Sequence, residues 1–306
     1  MAFRARRLRS APRSLGIVRT VLVTGGNRGI GFAMADQLLA SGDRVVITSR
    51  DAERGRRARE ELTRAHRGAG VAVRTCDLSS PDSIRSCAAR LTAEGVQLDA
   101  IVNNAGVLQA PPARELTAEG VEVTLATNAL GPWLLTSLIA PLLSANARVV
   151  SLTSRLHLPG SRGEQVDFDF ADPNLDHGYH PDRAYKNSKL ALIWVSTALD
   201  AALPTGVTSN TVCPGFAPVT AARHTRGWMR FKLRFIVPRL PFAVSVEQAA
   251  ADVLWALDAP QLAGRGGLYL ADRTVAEASP QAADPQLARD FVELARRLWP
   301  EPGDPS

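Results

Sequence analysis

Apolar and polar positions alternate in blocks along this chain of 306 residues. Short apolar runs recur at 20–25 (TVLVTG), 43–50 (DRVVITSR), 71–79 (VAVRTCDLS), 98–106 (LDAIVNNAG), 147–154 (ARVVSLTS), 207–215 (VTSNTVCPG) and 264–271 (GRGGLYLA). Their length and β-branched content predict buried strands. Longer stretches of helical character separate them: GFAMADQLLAS after the first run, the charged DAERGRRAREELTRAHR after the second, SIRSCAARLTAEG after the third. Residues 117–143 read as one long helical stretch, in which Pro132 predicts a bend or break. A further helix opens at RAYKNSKLAL, residues 183–192. Strand–helix alternation at this spacing predicts parallel pairing with helices on both faces, a doubly wound α/β sheet. Nothing interrupts the pattern after residue 17, so it predicts one domain over 18–306 behind a disordered basic extension at 1–17. Ligands of such sheets bind beyond the carboxyl ends of the strands, which directs attention to the loops there.

Composition changes this picture little. The formal charge is +6, but Arg4, Arg6, Arg7, Arg9 and Arg13 account for five of those charges in a stretch with no acid. The rest of the chain is near neutral, which argues against a nucleic-acid partner, whose footprint is a basic face on the folded domain. The same tail also fits an Arg-rich transit peptide, with a disordered extension as the alternative. No run of eighteen apolar residues exists, so no membrane-spanning helix is expected. Cys76, Cys87 and Cys213 have no metal-ligand spacing and no even pairing; they predict no metal and a reducing, cytoplasmic setting.

The loops carry the chemistry. TGGNRGIG (24–31) leaves the first strand and opens the first helix. Gly25, Gly29 and Gly31 permit a tight turn and close approach to a pyrophosphate, for which a helix N-terminus supplies oriented N–H groups. The second strand ends in Thr48, Ser49 and Arg50 with no acid before Asp51, and Arg28 lies within the glycine turn. Two guanidiniums suit a 2′-phosphate, whereas an acid would hold a 2′-hydroxyl, so NADP(H) is expected over NAD(H). Asp77 in CDLS is a candidate acceptor for adenine or a helix cap. In NNAG (103–106), Asn103 offers its amide to backbone or cofactor, and Ala105 and Gly106 leave room for a ribose.

The chain has only three lysines and three tyrosines, yet Tyr185 and Lys189 stand four apart on one helical face. A neighbouring ammonium favours the phenolate, which predicts a lowered Tyr185 pKa suited to proton transfer. Ser154 leaves the fifth strand where its hydroxyl can hold a carbonyl, with a turn cap as the alternative reading. Asn128 lies within a helix, where its amide can bind a backbone carbonyl or a water and kink the chain.

TGGNRGIG, CDLS, NNAG, TNALGPWLLT, SLTS, YKNSK and CPG occur in that order. Together they resemble the short-chain dehydrogenase/reductase family from about Val18 to Glu301. The resemblance implies a Rossmann fold and a catalytic tetrad of Asn128, Ser154, Tyr185 and Lys189. Tyr185 would exchange the proton, Ser154 steady the carbonyl, Lys189 bind ribose and tune Tyr185, and Asn128 hold a relay water. It implies cofactor contacts at Gly25, Asn27, Arg28, Gly29, Ile30, Arg50, Asp77, Leu78, Asn104, Ala105, Gly106, Tyr185, Lys189, Pro214, Gly215 and Phe216.

TSRDAERG, FDFADPN and the tail SPQAADPQLARDFVELARRLW are similar to the branch containing retinol dehydrogenases and protochlorophyllide reductases. That implies NADPH preference and a bulky, apolar carbonyl or conjugated ring as substrate. Two departures stand out: Val219 occupies the family's usual threonine position with Thr220 one later, and Arg155 follows the serine. By family position, about 217–245 forms a substrate lid. Its mixed aromatic and basic residues also fit an ordinary cover helix or a segment on a membrane surface. The function expected is an NADPH-dependent ketone or aldehyde reductase. A quinone or conjugated-ring reductase, and a non-catalytic NADP(H) sensor or scaffold, are the alternatives. The apolar excess on the 185–202 and 117–143 helices predicts a homodimer.

Overall fold

The computed structural model describes residues 18–160, 163–218 and 243–300. The basic extension at 1–17 and residues 219–242 of the expected lid, with Val219 and Thr220, lie outside the described residues. Seven strands pair in parallel in the order β3-β2-β1-β4-β5-β6-β7: β1 Thr20–Val23, β2 Arg44–Ser49, β3 Val71–Thr75, β4 Leu98–Asn103, β5 Leu143–Leu152, β6 Thr208–Cys213 and β7 Tyr269–Ala271. An eighth, β8 (Thr274–Val275), runs antiparallel on β7.

Strand residues alternate between two cores, as the two-residue period requires. Val21, Val23, Val45, Ile47, Ala100, Val102 and Val150 enter one core. The helices α1 (Gly29–Ala40) and α2 (Ala52–Ala65) cover it together with α7 (Val246–Asp258). Leu22, Val46, Ile101 and Val149 point the other way. Their cover is α3 (Pro81–Ala93), the helical stretch of 123–139, α6 (Pro181–Ala202) and α9 (Pro285–Leu298), which follows the short α8 (Pro280–Ala283). The strands are apolar on both faces because both are covered.

The long helical stretch begins later than expected. Gly120 at φ 78° and a bond from Thr117 N–H to Val121 O (2.7 Å) make a turn of 117–121, and the Glu122 carboxylate caps the start by accepting from Leu125 N–H (2.8 Å). From there α4 (Val123–Leu125) runs through a π-turn at Ala126–Leu130 into α5 (Gly131–Ile139). Pro132 causes no break. It has no N–H for the Asn128 carbonyl four residues back, and the widened turn just before it bonds Gly131 N–H to Ala126 O instead. Val123–Leu142 has the length and apolarity to cross a membrane, but 72% of its apolar window is buried within the fold.

The apolar faces that suggested a homodimer are covered within the chain. One side of α6 lies on the sheet, and α9 packs along the other. Phe168, Phe170, Trp194 and Phe291 form an aromatic cluster there, with ring centroids 5.0–5.9 Å apart. That removes the reason for expecting a second subunit on these helices, since the cover comes from segments distant in sequence.

Candidate active site

The carboxyl ends of β1, β4, β5 and β6 bring the candidate residues together. Thr24 anchors the first junction: its hydroxyl accepts from Asn104 N–H and Ala105 N–H, both at 3.0 Å. Asn104 in turn donates its amide to Thr24 O (2.7 Å), so this side chain ties the β1 and β4 loops together. Asn103 turns away from the cleft and donates to Thr136 Oγ1 and Ser151 Oγ, both at 3.2 Å.

The glycine turn is built for close approach. Gly25 and Gly29 have φ of 64° and 59°, a region that disfavours side chains. A Cβ at Gly31 would lie 2.5 Å from both Gly25 O and the Asn104 amide nitrogen. Most helices start under a side-chain cap: Asp51 on α2, Ser80 on α3, His180 on α6, Ser245 on α7, Ser279 on α8 and Asp284 on α9. Helix α1 does not, and its first turn holds no acid. An uncapped N-terminus facing a glycine turn has the donor set for a phosphate. Beside it opens a cavity of about 440 Å³ lined by Asn27, Arg28, Arg54, Arg57, Ala58 and Glu61. These residues fit the diphosphate and adenosine phosphate of a dinucleotide.

Arg54 and Arg57 were not singled out in the sequence, where they sit in a charged surface helix. One turn of helix aims both at this cavity, whereas Arg50, at the end of β2, is exposed and does not line it. Asp77 accepts from Ser79 N–H and Oγ (3.0 and 2.7 Å), and Ser80 rather than Asp77 caps α3. Leu78 is buried against Gly131, where a Cβ would meet its carbonyl at 2.3 Å. Past β6, Pro214 is buried, Gly215 takes φ 77° and Phe216 is 43% exposed.

The tetrad residues converge at β5 and α6. Lys189, almost fully buried, donates from Nζ to Leu152 O at 2.8 Å, and Thr153 Oγ1 returns a bond to Lys189 O at 2.9 Å. These bonds stitch α6 to the end of β5. Ser154, just beyond the strand, reaches the Tyr185 hydroxyl, and Lys189 Nζ lies 5.9 Å from the Tyr185 ring centroid. Asn128 is occupied by protein: Oδ1 accepts from Val107 N–H (2.7 Å), and Nδ2 donates to Val107 O (3.0 Å) and Ser188 Oγ (2.9 Å). Ser188 Oγ passes the bond on to Tyr185 O at 2.8 Å. Asn128 thus holds the β4 loop against α6. A Cβ on Gly106 would meet its Oδ1 at 2.9 Å and Lys189 Nζ at 3.7 Å, so only glycine leaves this strip open.

The ionisation of the pair differs from the expectation. Burial pushes the Tyr185 phenol up to about 12, against a smaller lowering by Ser154. Burial also lowers Lys189 to about 8. The lysine therefore loses its proton before the phenol ionises, and no ammonium remains to favour the phenolate. Tyr185 stays a protonated donor across neutral pH. Arg155, the unusual neighbour of Ser154, is engaged by Asp272 in the β7–β8 turn.

This fold, with a tyrosine donor, a serine and a buried lysine beside a phosphate-ready glycine turn, defines a nucleotide-dependent oxidoreductase of the short-chain class. The family model for short chain dehydrogenase matches residues 19–164. The chain is 33% identical to human (Homo sapiens) retinol dehydrogenase 14, covering 90% of this chain and 85% of that protein. It is 38% identical to polyprenol dehydrogenase of Mus musculus, covering 92% and 82% respectively. A short chain dehydrogenase from Burkholderia cenocepacia J2315, solved in complex with NADP, superposes with a TM-score of 0.60. It is 27% identical, and the match covers 83% of this chain and 95% of that one. The chain belongs to the short-chain dehydrogenase/reductase family.

Proposed function

We propose that this protein is an NADPH-dependent reductase of a bulky, mainly apolar aldehyde or ketone. The observation that carries the reading is the meeting of the Tyr185 hydroxyl with Ser154 at the end of β5, which offers a proton and a second hydrogen bond to one carbonyl oxygen. NADPH, when bound, supplies a hydride from C4 of its nicotinamide to the carbonyl carbon. Tyr185 gives its proton to the carbonyl oxygen, and the Ser154 hydroxyl donates a second hydrogen bond that orients the same atom. Donors already aimed at developing negative charge lower the barrier without reorganising. Lys189, charged below about 8, holds the ribose side of the cofactor and keeps α6 in register with β5.

Three exposed apolar side chains follow the loops at the site: Leu108 (39%) after β4, Leu156 (48%) after β5 and Phe216 (43%) after β6. They support an apolar substrate, as do relatives named for retinol and polyprenol. Arg28, Arg54 and Arg57 around the cavity support NADPH over NADH. Three thiols without a disulfide support a reducing, cytoplasmic setting. The test is NADPH oxidation against a panel including all-trans-retinal, long-chain aliphatic aldehydes, bulky ketones and quinones. Turnover of an apolar aldehyde or ketone is expected. Turnover of quinones alone would instead establish ring reduction at the same site, and none with any member would overturn the proposal.

A further inference from the structure

We infer that His157 is a positioning residue that fixes the backbone of Ser154 and, through it, the hydroxyl that orients the carbonyl. The inference rests on the reading of Ser154 given above. Ser154 is extended (φ −145°, ψ 153°) and begins a single turn of 3-10 helix, Arg155–His157, which its own hydroxyl caps by accepting from Leu156 N–H at 3.2 Å. A cap of that kind is weak, because the hydroxyl must also serve the substrate. The backbone closes the turn, Leu158 N–H to Arg155 O at 3.0 Å, and His157 adds a bond back to the residue that begins it. Its Nδ1 lies 2.6 Å from Ser154 O. A carbonyl only accepts, so Nδ1 carries the proton and donates, which makes Nε2 the bare nitrogen of a neutral ring.

The rest of the ring is held by packing. His157 is fully buried, and burial lowers its pKa, which keeps it neutral. Its Nε2 is buried with no hydrogen-bond partner among the described residues. The imidazole meets the Tyr269 ring edge-on at 4.6 Å and 75°, and Tyr269 belongs to β7, paired to β6. A chain of contacts thus runs from the sheet through Tyr269 and His157 to the carbonyl of Ser154. An unpaired buried nitrogen weakens a fold, and a turn of this kind closes without an imidazole. The histidine is explained by the single bond it makes.

The test separates the two ring nitrogens. His157→Asn puts an amide N–H close to Nδ1, whereas His157→Gln puts it close to Nε2; both leave a similar packing defect. The readouts are NADPH dissociation constant, kcat and KM for all-trans-retinal, or for whichever carbonyl of the panel turns over faster. His157→Asn is expected to keep kcat within about threefold. His157→Gln is expected to lower kcat by about tenfold, the scale of a small misplacement at a reacting centre, with NADPH binding unchanged. In a Ser154→Ala background, His157→Gln is expected to add no further loss, since residues acting as one unit are not additive. Full additivity in that background, or equal losses for the Asn and Gln variants, would overturn the inference. If Ser154→Ala alone leaves kcat unchanged, the serine's assigned role fails and the inference goes with it. Thermal melts of all four proteins, with NADPH present, show whether a loss comes from unfolding.

Discussion

At the scale of single residues, Tyr185 and Lys189 face each other because four residues of helix leave them on one side. That much was legible from spacing. Their ionisation was not, because it depends on burial by the end of β5, which lies distant in the chain. Asn128 was open between a backbone carbonyl and a water, and Asn103 between backbone and cofactor; the fold gives Asn128 the Val107 carbonyl together with Ser188, and gives Asn103 the side chains of Thr136 and Ser151. His157 drew no notice because the sequence carries no sign of which buried carbonyl a ring will meet. Two predictions belong here. Tyr185→Phe removes the proton donor and leaves Lys189 and the glycine turn in place, so turnover should fall by roughly 10²–10⁴-fold while the NADPH dissociation constant, measured by fluorescence titration, changes far less. The pH profile should follow the lysine. With Tyr185 near 12 and Lys189 near 8, kcat/KM for reduction should decline as pH rises through about 8. Lys189→Arg keeps its charge at those pH values and should abolish the decline; a decline that survives the substitution would assign it elsewhere.

Elements were read well where a pattern was local. All seven parallel strands followed from apolar runs and their spacing, as did the helices between the first six. The errors lie where the chain departs from regular geometry. The π-turn at Ala126–Leu130 accommodates Pro132 in a way that proline's usual effect does not foretell. Strand β5 starts at Leu143, earlier than its apolar core, by pairing with β4 across a register shift near Leu98. The β7–β8 hairpin turns on Asp272 and Arg273, both at positive φ, without the Asn-Gly or Asp-Gly that announces such turns. Helix α2 illustrates the same limit. Its arginines looked like a solvated face, yet Arg54 and Arg57 border the cavity beside the glycine turn. Their partners, Asp51 and Glu53, are half exposed, and such surface pairs are weak enough to re-form around a phosphate. Replacing both arginines by Ala should raise the NADPH dissociation constant about tenfold, the loss of roughly one charge-assisted bond, and leave NADH binding unaltered. Equal weakening of both cofactors would place the pair outside 2′-phosphate recognition.

For the whole molecule, the informative surface is the one between α6 and α9. From sequence alone α6 was too apolar to stand uncovered, and the inference of a partner was reasonable. Nothing in a local pattern says that residues some hundred positions later will provide the cover. Trp194 donates its indole N–H to Gln281 O at 2.8 Å, and Phe291 packs fully buried against its ring. With that face filled, light scattering should return a mass near 32.8 kDa; a stable mass of twice that value would show another surface at work. Phe291→Ala should cost about 3–5 kcal/mol of unfolding free energy, as large-to-small changes in aromatic cores do, read from denaturant midpoints.

The enclosure of Lys189 makes the protein a proton-coupled binder. Its folded pKa, about 8, lies below the 10.5 of a free lysine, so between those values the unfolded chain holds more protons than the native one. By linkage the native state gains stability as pH climbs through that window. A ribose gives the ammonium oxygen acceptors and draws the pKa back up. Near pH 8, cofactor binding should therefore take up a fraction of a proton, and NADPH affinity should weaken as pH rises towards 10. Titration calorimetry in phosphate and in Tris, whose ionisation heats differ widely, reads that uptake as a difference in apparent binding enthalpy. Identical enthalpies in the two buffers would mean that Lys189 keeps the same charge with and without its cofactor.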